Sequence, residues 1–287
     1  MGKISRRIAL KSGISLGTLG ISANNLFAAQ NKSLIQPNFA EPISNLRTHV
    51  KMIGSLGKEI VYSFMRLNIY ADLGEGNYIP FFTMNNVLVD YWEPQEDNQH
   101  EMRKYEVGFY TKYDSYELLD YFDNPITGKR NPVHHFRLGP VPRMYTPEGV
   151  IAMGYTPKLL PIEVIGERVF LATESIESRP DPVRPGQMTY VNSFMTVSAQ
   201  LSDSLNLKIK SVATHMQLQN KNKWAPWMEM GDRSGGTIAR GFGAKIRNLD
   251  VLPQPVKDGI KKYVPEILDT AHWTKFLFED SEYTKRS

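Results

Sequence analysis

The residues of this 287-residue chain whose type and spacing suit chemistry are a few histidines, arginines and carboxylates. His135 falls at the end of a predicted strand. His215 shares a period-two face with Leu207, Ile209, Ser211 and Ala213, so a strand over 205–218 would set its imidazole on an apolar surface. With Asp123, Asp114 or Asp232 alongside, His135 and His215 would act as a general-base pair or as two metal ligands. The plainer reading makes one a hydrogen-bonded structural histidine and the other an exposed one. His134 and His135 are adjacent and point to opposite strand faces, so they cannot share a metal.

A second group suits ligand binding. Arg66 lies on a strand face with Tyr62 and Phe64, where a buried guanidinium calls for a carboxylate partner or an anionic ligand. Asp232 and Arg233 sit between Gly231 and Gly235, either as a loop contact for an anion or as pins of a turn. Trp224, Trp227, Met228 and Met230 line a pocket mouth or fill a core, and Tyr110 and Trp92 are open to the same two readings. No metal site is assigned and no cofactor is identified. The chain has no Gly-x-Ser-x-Gly elbow, His-Glu-x-x-His, Walker loop or Rossmann fingerprint, and it contains no cysteine.

These residues need elements to hold them. At 60–70, Val61, Met65, Leu67 and Ile69 alternate with Tyr62, Phe64, Arg66 and Asn68, which gives a strand with one aliphatic and one aromatic face. The stretch 104–136 reads as a β-meander, with strands over 103–110 and 117–122, a turn at Asn124-Pro125-Ile126-Thr127-Gly128, and a return over 133–136. In the first of these, Tyr105, Val107 and Phe109 oppose Lys104, Glu106 and Tyr110. Further strands are predicted over 78–91, 168–174, 188–201, 205–218 and up to Ala244, with helices over 255–268 and 271–278. The passage 131–161, rich in Pro and Gly, reads as long connections. The pattern predicts a mainly β domain: a lipocalin-like antiparallel β-barrel, closed or nearly closed, with C-terminal helices, or else a two-sheet β-sandwich.

Two blocks of this sequence resemble a known family. Val-Gly-Phe-Tyr-Thr at 107–111, Asn-Pro-x-Thr-Gly at 124–128 and His135 form one, and Pro-Trp-Met-Glu-Met-Gly-Asp-Arg-Ser-Gly at 226–235 forms the other. Together they resemble DUF1838, an uncharacterised bacterial and fungal family, over roughly 45–280. The resemblance implies no activity. Leu138-Gly139-Pro140 stands where the family pattern has Asn-Asp-Pro, and Ser234 stands where it has Pro.

At the N-terminus, Ser5-Arg6-Arg7-Ile8-Ala9-Leu10-Lys11 and the mildly apolar run over 12–29 match a twin-arginine signal peptide, followed by a polar linker over 30–44 and, at the other end, a polar tail over 281–287. This segment holds Lys3, Arg6, Arg7 and Lys11 and no acid. The 34 basic and 30 acidic residues of the chain therefore become 30 of each after cleavage, and the basic pI gives no support to nucleic-acid binding. The expected protein is periplasmic, exported by the twin-arginine machinery and without a stable membrane anchor. It binds a small, largely apolar molecule with an acidic or polar head. The alternatives are an acid/base enzyme (hydrolase, isomerase or lyase) using His135 or His215 with a carboxylate, and a structural or interaction protein with a filled core.

Overall fold

The computed structural model describes residues 38–152, 158–180 and 188–275. The expected signal segment and the polar tail lie outside the described residues, as does most of the expected linker. Thirteen strands are described: β1 (Glu59–Asp72), β2 (Tyr78–Pro94), β3 (His100–Lys112), β4 (Tyr121–Asp123), β5 (Arg130–Pro132), β6 (Phe136–Thr146), β7 (Gly149–Ala152), β8 (Lys158–Leu159), β9 (Glu163–Ile165), β10 (Arg168–Pro180), β11 (Met188–Gln200), β12 (His215–Asn222) and β13 (Gly236–Ile246). Eleven of them form one antiparallel sheet in the order β7-β6-β3-β2-β1-β13-β12-β11-β10-β8, with β9 also on β10, while β4 and β5 pair separately. The fold is mainly β, as expected. Among the described residues no ladder joins β7 to β8, so the hydrogen-bonded sheet described is open rather than a closed barrel, and its continuity also departs from a two-sheet sandwich.

The alternation in β1 holds: Val61, Met65, Leu67 and Ile69 are buried, and the intervening residues are partly buried. Cross-strand register extends this aliphatic face through Met84 of β2, Met216 of β12, Val197 of β11 and Leu171 of β10. Two covers lie over it. One is helix α1 (Pro42–Ile53), whose Leu46 and Val50 pack on Val61, Trp92 and Tyr145. The other is a plug formed by Phe122 and by Trp224, Met228 and Met230, which join Met65, Leu67 and Phe82 in one core cluster.

The aromatic face is covered over part of its width by helix α3 (Gln254–Tyr263) and the turns that follow. Val256, Ile260 and Ile267 pack there on Val87, Val89, Tyr105, Val107 and Phe109. The face continues past this cover to Phe242, which is 69% exposed.

Several elements differ from expectation for physical reasons. Helix α1 arises because Glu41 accepts the amide hydrogens of Ile43 and Ser44, and Pro42 sits where a first-turn N–H has no partner anyway. Strand β6 forms inside the Pro/Gly-rich passage because β7 pairs only with its 143–146 end, leaving Pro140 and Pro142 on an unpaired side. The 205–218 strand does not form. Helix α2 (Leu201–Leu205) and a loop precede β12, Leu207 is exposed, and the Lys51 ammonium donates to the carbonyls of Asp203, Ser204 and Asn206 at the end of α2. The segment over 117–122 is reduced to a bridge between Thr111 and Leu118 and the short strand β4, so β3 pairs directly with β6.

Candidate functional site

The aliphatic face is not aliphatic throughout. Between the α1 cover and the plug, a polar layer crosses five strands: Ser63 on β1, Asn86 and Asp90 on β2, Lys104 and Glu106 on β3, Arg143 on β6 and Lys245 on β13. Register puts them on one face, with Asp90 opposite Lys104 and Ser63 opposite both Leu88 and Lys245.

Lys104 Nζ lies 2.9 Å from Glu106 Oε2, and Asn86 donates to Glu106 Oε1 at 2.7 Å. Burial alone would raise the Glu106 carboxyl, but the Lys104 charge, the two hydrogen bonds and Arg143 hold it below its usual range. Asp90 has no such help. It is 7% exposed, and its Oδ1 is buried with no hydrogen-bond partner. Burial, with the negative charge of Glu106, pushes its pKa up to about 6 against the pull of Lys104, Arg143 and Lys245. Asn86 Oδ1 and Ser63 Oγ are also buried and unpartnered. Ser63 faces Leu88, midway between Asn86 and Asp90, so the three unspent acceptors are neighbours on one patch.

The layer is framed by specific geometry. On β6 three residue steps, Leu138 to Val141, span the two from Glu106 to Lys104, so β6 bulges at Gly139-Pro140. Gly139 takes φ +108, and a Cβ there would stand 2.2 Å from the Lys104 carbonyl oxygen, so no side chain fits. Lys245 donates to the carbonyls of Lys51 and Gly54 and to Ser211 Oγ, tying the end of α1 to the sheet. Burial pulls the Lys245 pKa down to about 7.

The residues singled out from sequence are dispersed. His135 Nδ1 accepts the N–H of Tyr110, extending the β3–β6 edge beyond its last ladder pair, and its ring meets Tyr263 edge-on at 4.6 Å. That geometry places the proton on Nε2, which is buried without a hydrogen-bond partner, and burial lowers the His135 pKa to about 4. His215 is exposed on the aromatic face, across from Ser198 and Ala244. Asp123 pairs with Arg130 at 3.2 Å on the surface. Arg66 lies on the aromatic face, 3.3 Å from Asp114 and over the Tyr116 ring, and Tyr62 packs in the core beneath α3.

Arg233 and Asp232 are exposed, with Arg233 donating to the Met230 carbonyl. Tyr110 and Trp227 do meet, at 5.7 Å between ring centroids, and Phe82 and Phe122 complete their cluster. Burial raises the Tyr110 pKa to about 12.

The two resemblance-bearing blocks clasp each other. Asn124 Nδ2 donates to the Met228 carbonyl and to Met230 Sδ, while its Oδ1 accepts the N–H groups of Ile126 and Thr127. Trp224 Nε1 donates to the Arg233 carbonyl, and Lys129 pairs with Glu229. Among the described residues no group of three or more His, Asp or Glu is placed to hold a metal ion.

The polar layer was missed at the sequence level, although the signal was present. Asn86 and Asp90 interrupt an apolar strand at period two, and Lys104 and Glu106 face the same way as Tyr110. Polar residues on one side of a strand suggest solvent, and only α3 on the far side of β3 forces them inward. No curated protein matches the chain. The model of the family described as protein of unknown function DUF1838 matches residues 57–275, most of the sequence and both of the clasping blocks, and the chain belongs to that family.

Proposed function

We propose that this is an exported protein that binds a small, largely apolar molecule against the aliphatic face of its sheet, with the polar end of that molecule at the layer formed by Asp90, Lys104, Glu106 and Arg143. The observation that carries the reading is Asp90 Oδ1: buried, without a hydrogen-bond partner, and beside two more unpartnered acceptors. Buried polar groups are normally satisfied, and an exception marks a place where something else supplies the donor. The head of the ligand accordingly carries a hydroxyl, amide or similar donor. Arg66 and Arg233 do not serve as its clamp, because each has partners elsewhere.

A nearly closed barrel suits this reading. An eleven-strand sheet is long enough to curl, and residues of β7 and β8, the two ends of the strand order, approach within 8 Å between Cα atoms. Export rests on the twin-arginine pattern at 5–11 and on the charge balance that follows its removal. A second reading, an acid/base enzyme, is favoured by one observation: Asp90, with a pKa of about 6, is suited to exchange a proton near neutrality, a role expected from sequence for His135 or His215.

Native mass spectrometry with elemental analysis on protein purified from the periplasm of its host tests the binding reading. A copurified small molecule, lost in Asp90→Asn and Lys104→Met variants that remain folded, is the expected result. A bare-chain mass, with no thermal stabilisation by a panel of amphipathic hydroxyl and amide compounds, would overturn it. Incubating the released molecule with fresh protein and finding it chemically altered by NMR would move the assignment to the enzyme.

A further inference from the structure

A concavity lies apart from the polar layer. It is an open groove of about 260 Å³ between Arg47 of α1, Leu56, Pro94 and the β2–β3 turn at Gln95, Asn98, Gln99 and His100. His100 and Lys104 lie on the same face of β3, but two strand repeats separate them, roughly 13 Å, and the buried Met102 stands between. The groove and the layer are therefore distinct places.

Its two basic residues are both unspent. Arg47 is exposed and makes no hydrogen bond or ion pair among the described residues. His100 is only 7% exposed, and its Nδ1 is buried without a partner while the residue lines the groove. Leu56 and Pro94 supply apolar wall, and the Asn98 and Gln99 side chains bring amide donors. We propose that this groove is a binding site for a small carboxylate, with the Arg47 guanidinium taking the carboxylate oxygens, His100 donating from its ring, and the apolar body of the ligand resting on Leu56 and Pro94.

Charge limits the class further. Arg47 is the one full cation lining the groove, since burial and the Arg47 charge lower the His100 pKa and leave the ring neutral at pH 7. The same turn carries Glu96 and Asp97, and Glu101 accepts from Gln95. Those acids disfavour a dianion such as phosphate, so a single carboxylate matches the site best.

The full chain is titrated with benzoate while the ring signals of its six histidines are followed by NMR, with benzamide as the uncharged isostere and inorganic phosphate as the dianion. The expected result is a saturating shift of the His100 signals with benzoate, at least about tenfold weaker binding in Arg47→Gln, and much weaker responses to benzamide and phosphate. His100→Gln should weaken benzoate similarly. If that variant does not fold, Arg47→Gln, at an exposed position, still decides the matter. Shifts that stay linear in benzoate, that survive Arg47→Gln, or that benzamide or phosphate reproduces equally would overturn the proposal.

Discussion

The clasp between the two family blocks and the polar layer both sit on the aliphatic face, and both bury an asparagine amide in an apolar setting. In the clasp, Asn124 is 2% exposed and all of its hydrogen-bonding capacity meets partners in the 126–127 turn and the 228–230 loop. In the layer, Asn86 is equally buried, yet its Oδ1 is unspent, as are Ser63 Oγ and Asp90 Oδ1. Full satisfaction stabilises a structure, whereas unspent acceptors cost stability and persist where something else requires them. Asn124 of the family motif thus holds structure together, whereas the unspent acceptors lie outside the two blocks.

Asn124→Ala breaks the clasp and should have the largest effect. It leaves the Met228 carbonyl and two backbone N–H groups without partners, at a cost of about 3 kcal/mol. Urea unfolding at an unchanged m-value would measure it. Ligand capture by the fraction that remains folded should persist, because the polar layer is untouched.

Asp90→Asn should do the reverse, raising stability while abolishing capture. A carboxyl whose pKa is raised in the folded state contributes stability at low pH that is lost as pH climbs from about 4 to about 6. His49 acts in the opposite sense. Both of its ring nitrogens are buried without partners and burial lowers its pKa to about 4, so its contribution is complete above about 6.5 and is lost as pH falls towards 4. Each amounts to about 3 kcal/mol, and in the native protein they largely offset. The stability advantage of Asp90→Asn over the native chain should therefore grow by about 3 kcal/mol between pH 4 and pH 7. His49→Leu should show its greater advantage at pH 4. Urea midpoints at the two pH values decide both, and a pH-independent difference would remove Asp90 from its buried, ionisable role.

Lys245→Met sharpens the comparison from within the layer, since Lys245 belongs to it but spends all three of its donors. Losing them should cost about 2 kcal/mol at neutral pH. The lowered pKa also means that the native chain gains stability relative to its unfolded state as pH rises from about 7 towards the ordinary lysine range. Chemical denaturation across that range should show this slope in the native chain and its absence in the variant.

What was legible in the sequence follows the same division. Strand identity in β1, β10, β11 and β13, the late helices and the turn at 124–128 came from local periodicity and turn chemistry, which act over a few residues. The burial of the polar side of β3 did not. Lys104 and Glu106 alternate with Tyr105, Val107 and Phe109 as a solvent face would, and α3, more than 140 residues further along, decides otherwise. Strand β6 was hidden by prolines that only an unpaired edge tolerates, and α1 by a polar, proline-containing lead-in whose helix forms through its Glu41 cap. His215 lost its expected apolar neighbours because Leu207 and Ile209 belong to a loop before β12.

Arg66→Ala provides the smallest effect and the cleanest contrast. From sequence, Arg66 was a candidate clamp for an anionic ligand head. In the structure its guanidinium lies over Tyr116 at 4.3 Å and reaches an Asp114 carboxylate that is 80% exposed, on the face opposite the polar layer. An exposed ion pair with a cation–π contact is worth about 1 kcal/mol, and high salt should remove part of that. Thermal melts at low and high salt should register this loss while copurified ligand remains at its native level. If capture instead disappears in a folded Arg66→Ala protein, the binding surface lies on the aromatic face, and the unspent acceptors of the polar layer serve another purpose.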